Sequence, residues 1–323
     1  MSEAKVQLGR RLFHDTRLSV TGAFACATCH VQARAFTDGR PRAAGATGQL
    51  HPRSTMTLAN VAYHASYGWA DASTRTLEAQ MLQPMFNEHP IELGLLGHEA
   101  AVVARLAADP EIAAGHRAAF PEEPGSISMA TIVKAIAAFE RTLVSGDSAL
   151  DRYLYRDDRT AMTEPALRGM RLFFSDRLAC SECHGGFNLS GPTDFEGAPA
   201  PTLVFHHTAL YNEDGQGAYP ALDRGLIDLT GRPDDMGRFR APTLRNIALT
   251  APYMHDGSVA TLPAVVAHYA TGGHASRLRH PKLTGFQLTR RDTSDLVAFL
   301  EALTDAAFVA NQDFAPPSTD RRN

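Results

Sequence analysis

The chain has 323 residues, 44% of them apolar, and a formal net charge of -4 with a pI near 6.4. That is long enough for two domains with cores of their own and too apolar for a disordered protein. The slight acidity argues against nucleic acid as a partner, and no apolar run reaches the length of a membrane span.

Helical signals dominate from the start. "LGRRLFHD" leads into "FACATCH", where Cys26 and Cys29 stand directly before His30. "TRTLEAQMLQPMF" reads as a helix ended by Pro84. In "SMATIVKAIAAFERTLVSG", Ser128 is a candidate N-cap and Gly146 a stop, with Ile132, Val133, Ile136, Phe139 and Leu143 on one face. The polar run from Tyr155 to Glu164 is the expected boundary, giving domains over 1–158 and 159–323. The second half then repeats the opening: "LRGMRLFFSDRLACSECH" again places Arg-Leu-Phe and an Asp before Cys180, Cys183 and His184. Gly- and Pro-rich sequence from Gly185 to Pro242 predicts long loops. "TRRDTSDLVAFLEAL" predicts a last helix with Leu296, Val297, Phe299, Leu300 and Leu303 inward. The tail "FAPPSTDRRN" is expected to be disordered. Strand patterns are scarce, so the expected class is all-α: two related domains with long irregular loops.

The haem expectation rests on Cys-x-x-Cys-His, the pattern of covalent c-type attachment. Two thiols add to the haem vinyls as thioethers and the adjacent histidine reaches the iron. The motif occurs twice and uses all four cysteines. A zinc site would join both thiol pairs and leave one histidine surplus. A redox dithiol would need a βαβ pattern, which is not visible. Because c-type haem is attached outside the bacterial cytoplasm, a periplasmic location is expected, with the secretion signal removed.

The two motifs, about 150 residues apart, occur with "TLEAQMLQPMF", "HPIELG", "RAPTLRNIALTAPYMHDGSVATL" and "HYATGG". Together these phrases resemble the dihaem cytochrome c peroxidase and MauG superfamily over nearly the whole chain. "GWADASTRTLEAQ" with "PMFNEHPIELG" is most similar to its methanobactin-associated MbnH branch. The resemblance implies two all-α, cytochrome c-like haem domains with two covalent c-type haems, the first meeting peroxide and the second handling electrons. His30 and His184 would be the proximal ligands. The second ligand of the C-terminal haem falls fourteen residues beyond His255, at Tyr269. Bacterial peroxidases have methionine there and the MauG and MbnH branches tyrosine; Met254 is the competing residue. An anionic phenolate favours high-valent iron, whereas a thioether favours ferrous iron. Trp69, the chain's one tryptophan, would bridge the haems. Glu92 would move the peroxide proton, with Glu88 in reserve, and Gln80 and Pro84 would complete the distal pocket. His51, the candidate sixth ligand, reads more simply as a surface-loop histidine. Arg245 would pair with a haem propionate. A calcium ion between the haems would take the carbonyls of Thr250 and Pro252 and also Ser54, with Asn60 as a substitute.

The implied function is the use of hydrogen peroxide to reach a state with both irons as Fe(IV). Long-range electron transfer would then oxidise a side chain of an MbnP-like partner protein, tryptophan to kynurenine. The alternative is a cytochrome c peroxidase that draws electrons from a small cytochrome. A third reading, from another class, is a passive dihaem electron carrier with no open coordination position.

Overall fold

A computed structural model describes residues 1–123 and 125–317. Helices supply most of the regular structure. The first half holds α1 (Glu3–Phe13), α2 (Cys26–Cys29), α3 (Leu77–Phe86), α4 (Glu99–Ala107), α5 (Pro110–Ala119) and α6 (Met129–Glu140). The second holds α7 (Ala149–Tyr155), α8 (Glu164–Phe173), α9 (Ile227–Thr230), α10 (Leu262–Thr271), α11 (Arg290–Glu301) and α12 (Ala306–Ala310). Among the described residues the named strands are β1 (His206–His207) and β2 (Arg238–Phe239), an antiparallel pair inside the long loop region.

The sequence repeat becomes a packing repeat. Helix α1 packs on α6, and α8 packs on α11. Each pair crosses at a glycine in the shared Arg-Leu-Phe lead-in. A Cβ on Gly9 would collide with the Ala135 carbonyl, and one on Gly169 with the Asp295 carbonyl. Only glycine lets these backbones approach so closely. Phe13 and Phe173, four residues on from each glycine, are both buried against the partner helix's phenylalanine, Phe139 and Phe299. Truncating either partner phenylalanine would cost about 3–5 kcal/mol.

The helix starts follow local chemistry. Ser128 caps α6 in a reciprocal box with Thr131, and Thr289 does the same for α11 with Asp292. The five apolar residues expected inward on α6 and its exit are all buried. The ends differ from expectation. Helix α6 stops at Glu140 rather than near Gly146. Helix α3 runs through Pro84 to Phe86, because Met85 is fully buried and the Asn87 N–H still reaches the Gln83 carbonyl at 2.9 Å.

One core spans Leu8 to Leu143 and a second spans Leu150 to Leu303. Leu150 of α7 lies in the second core, so the cores divide before the polar run at Tyr155–Glu164. The chain end returns to the first. Phe308 and Phe314 stack against Phe36, so the opening of the supposedly disordered tail is packed. Residues 318–323 of that tail lie outside the described residues.

Candidate functional site: two cavities and a shared wall

Each Cys-x-x-Cys-His motif opens into its own cavity. The first is lined by Cys26, Cys29 and His30 with Gln80, Pro84 and Glu92. The second is lined by Cys180, Cys183 and His184 with Thr250, Pro252, Met254 and Tyr269. The four thiols are free. Burial pushes Cys29, Cys180 and Cys183 up to about 11, and Cys26 higher still. They are therefore protonated thiols rather than poised thiolates. That is the wrong state for a dithiol nucleophile and is compatible with covalent capture of a vinyl group.

The histidines are oriented for metal binding. His30 Nδ1 lies 2.9 Å from the Phe36 carbonyl, held by a tight turn in which Ala35 and Phe36 are left-handed. His184 Nδ1 lies 3.1 Å from the Pro242 carbonyl and 3.3 Å from that of Leu189. A carbonyl can only accept, so Nδ1 carries the proton and Nε2 keeps its lone pair for a metal. Burial lowers both histidines, keeping them neutral. Two thiols beside one neutral imidazole with a free Nε2, in each of two cavities, fit covalent haem.

The first cavity contains a carboxyl group shifted toward neutrality. Burial pushes Glu92 up to about 7. Its chain is pinned by the loop opposite: the Ala46 N–H donates to the Glu92 carbonyl at 2.7 Å, and the Ile91 N–H to Gln49 Oε1 at 3.0 Å. Glu88, by contrast, is exposed and outside the cavity lining. His51 differs from the surface-loop expectation. It lines the cavity with Nε2 3.9 Å from Glu92 Oε1, and burial lowers it to about 4. Its Nδ1 accepts the Arg53 N–H at 3.0 Å, so the neutral ring carries its proton on Nε2, facing Glu92.

In the second cavity, burial foremost, then the Cys183 and Cys180 thiols, raise the Tyr269 phenol well above its ordinary value. A phenol buried this way ionises only if a cation takes the charge. Met254 lines the same cavity but packs in the small cluster that holds Trp69 and Tyr219.

Residues 54–57, His64, Trp69 and Arg240 line both cavities and form the wall between them. Trp69 is fixed at both ends: its Nε1–H donates to the Ser54 carbonyl at 2.9 Å, and its carbonyl accepts the Arg240 N–H at 2.7 Å.

These arrangements belong with a known group of proteins. Residues 3–159 match the Di-haem cytochrome c peroxidase family. The chain is 36% identical to cytochrome-c peroxidase IdrP1 of Denitromonas iodatirespirans, over 94% of this chain and 82% of the relative. The chain belongs to the di-haem cytochrome c peroxidase family. Methylamine utilization protein MauG of Methylorubrum extorquens is 33% identical, over 94% of this chain and 79% of the relative. A crystal structure of a MauG-like protein associated with microbial copper homeostasis superposes with a TM-score of 0.95 at 46% identity, covering 98% of this chain and 94% of the other. As a member of this di-haem family the chain is a haem oxidoreductase. Among the described residues no helix is long and apolar enough to cross a membrane.

The remaining expected residues divide. Thr250 and Pro252 line the second cavity and Ser54 the shared wall, but Asn60 is committed elsewhere, bonded to Ser145 and Asn188. Arg245 lies in neither lining. Its guanidinium is locked to both Asp151 oxygens at 2.8 and 2.9 Å, with the Phe187 carbonyl as a further acceptor, so it has no free donor face for a propionate. Sequence reasoning missed Arg240, the first residue of the same "RAPTLRN" run, as well as Thr55 and His64. It also missed His206 and His280, whose ring nitrogens and Cys183 Sγ lie within 4.8 Å of one another. A thioether at Cys183 would leave only two imidazoles there.

Proposed function

We propose that this protein uses hydrogen peroxide to oxidise a side chain of a partner protein, as a MauG- and MbnH-like enzyme of the periplasm. The observation that carries the reading is Tyr269, a phenol rather than a thioether, half-buried on the lining of the His184 cavity that also holds both thiols. Residues 1–158 would form the peroxide-binding haem domain and 159–323 the electron-handling one.

His30 would hold the first haem iron, and His184 with Tyr269 the second. When bound, the two haems supply peroxide cleavage and storage of the two oxidising equivalents. Glu92 accepts a proton from one peroxide oxygen and returns it to the other. Gln80 and Pro84 shape the space in which peroxide sits. Trp69 spans the wall between the cavities, and its indole is the oxidisable group placed to pass charge across it. Calcium near Ser54, Thr250 and Pro252 would add a fixed positive charge to this region. The substrate side chain would be a tryptophan, converted to kynurenine, on an MbnP-like protein. The copper-homeostasis association of the similar MauG-like structure supports a partner of that kind.

A second reading has its own observation: Met254 lines the same cavity as Tyr269. With Met254 as the ligand, the protein would be a cytochrome c peroxidase fed by a small electron-donor cytochrome. To separate the two, the dihaem protein is given peroxide with either a reduced small c-type cytochrome or the secreted protein encoded beside its gene. Slow cytochrome oxidation with a tryptophan of the neighbour modified, read by peptide mass spectrometry, supports the first reading. Rapid multiple-turnover cytochrome oxidation with the neighbour unmodified supports the second.

A further inference from the structure

The wall between the cavities carries three buried polar atoms with no hydrogen-bond partner: Thr55 Oγ1, His64 Nε2 and Arg240 Nη1. Arg240 is the most unusual of them. It is 3% exposed. Its Nε donates to the Gly68 carbonyl at 3.2 Å, and its Nη2 reaches only the Met56 sulfur at 3.7 Å. Among the described residues no carboxylate pairs with it, whereas the equally buried Arg245 has Asp151. A buried guanidinium without a counter-ion is strongly unfavourable, and burial lowers Arg240 to about 10. Such a group is retained where an anion completes it.

Arg240 is also tied to Trp69. Its own N–H donates to the Trp69 carbonyl, and its Nε to the residue before. His64 is within electrostatic reach of Arg240, and burial keeps its ring neutral, so one ring nitrogen can donate. The wall thus presents a forked cation, a hydroxyl and an imidazole toward two cavities that each fit a porphyrin, whose only anionic substituents are two carboxylates. A forked guanidinium suits a carboxylate better than any other side chain.

We propose that Arg240, with Thr55 and His64, is the carboxylate site of the haem pair: it binds a porphyrin propionate at the boundary between the cavities and fixes a positive charge beside Trp69. Arg240 is a positioning residue in this role, because it acts on iron and indole through the propionate. The inference rests on the two-haem reading of the cavities. A wild-type protein without two covalent haems would end that reading before Arg240 is altered.

The test is the reduction potential of each haem, followed by spectroelectrochemistry between about pH 6 and 8 in wild type, Arg240→Gln and Arg240→Lys. A positive charge near haem favours ferrous iron, so its loss should shift at least one potential downward. The propionate left without its partner should take up a proton more readily, making that potential steeper with pH. Of the other titratable groups nearby, two hold still in this range and two titrate within it. Tyr67 is raised to about 12 and His64 stays neutral. Glu92, raised to about 7, and Glu140, raised to about 8, do titrate there, but they line only the first cavity and are present in every variant, so they cancel in the difference from wild type. Arg240→Lys keeps the charge and should hold its potentials nearer wild type. Losing the fork should still move the propionate bending band in its resonance Raman spectrum. Should Arg240→Gln not mature, that band in Arg240→Lys decides. Unchanged potentials and pH dependence in Arg240→Gln, or an unchanged band in Arg240→Lys, would overturn the proposal.

Discussion

Replacing Glu92 by glutamine keeps the shape of the first cavity and removes the carboxylate opposite His51, leaving Glu140 as the other carboxyl of the lining. Burial raises the Glu92 carboxyl to about 7, so the base form appears only as pH climbs past that value. About a tenth is ionised at pH 6, half at pH 7 and nine tenths at pH 8. The reaction of ferric protein with peroxide should therefore speed up about tenfold across that range, with its midpoint near 7. The nearest partner, His51, is lowered to about 4 and stays neutral throughout, and Glu140, raised to about 8 on the same lining, is retained in Glu92→Gln, so the step lost in that variant belongs to Glu92. Glu92→Gln should be slower by a factor on the order of 10² to 10⁴ and lose the pH step. Stopped-flow absorbance of the haem band under pseudo-first-order peroxide measures both. Glu88→Gln is the control, since that exposed residue lies outside the cavity and should react as wild type. A Glu92→Gln rate close to wild type with the same pH profile would refute the assignment.

Intact mass after denaturation should exceed that of the polypeptide by two haems; a single adduct would remove one cavity from the account. Trp69→Phe should leave the first cavity's reaction with peroxide unchanged and delay the spectral response of the second haem, which rapid-mixing spectroscopy resolves. Asp151→Ala strands the buried Arg245 guanidinium and should cost about 3–5 kcal/mol in denaturant unfolding. Burial opposes ionisation of Asp151, but the hydrogen bonds from Arg245 and Ser148 prevail and hold it below its ordinary value. Its contribution is thus full above about pH 4 and is lost as pH falls through the lowered value.

What could be read in the sequence was whatever repeats or sits in a fixed local frame. The two haem motifs, the helices around Phe139 and Phe299, and their Ser128 and Thr289 caps depend on neighbours a few residues away. Gly9 and Gly169 were visible as parts of a repeat, but their role needs the helix that crosses them. Arg240 and Arg245 show the limit most clearly. Both stand in one short run, and residue type alone cannot choose between them. The choice depends on Asp151, 94 residues from Arg245, which occupies that guanidinium and leaves Arg240 without a partner. His51 was misplaced for a similar reason: the hydrogen bonds that pin its loop over Glu92 join residues more than forty positions apart. Pro84 ended a helix on propensity, but burial of Met85 carries the helix past it.

The function turns on whether Tyr269 or Met254 completes the second haem site. Electron paramagnetic resonance of the ferric protein, with Tyr269→Phe and Met254→Leu beside wild type, tests it directly. One high-spin signal is expected from the His30 site and one low-spin signal from the His184 site. Tyr269→Phe should abolish or shift the low-spin signal and Met254→Leu should leave it in place. A low-spin signal that survives Tyr269→Phe and disappears in Met254→Leu would rule out Tyr269 as the ligand and make the protein a cytochrome c peroxidase instead.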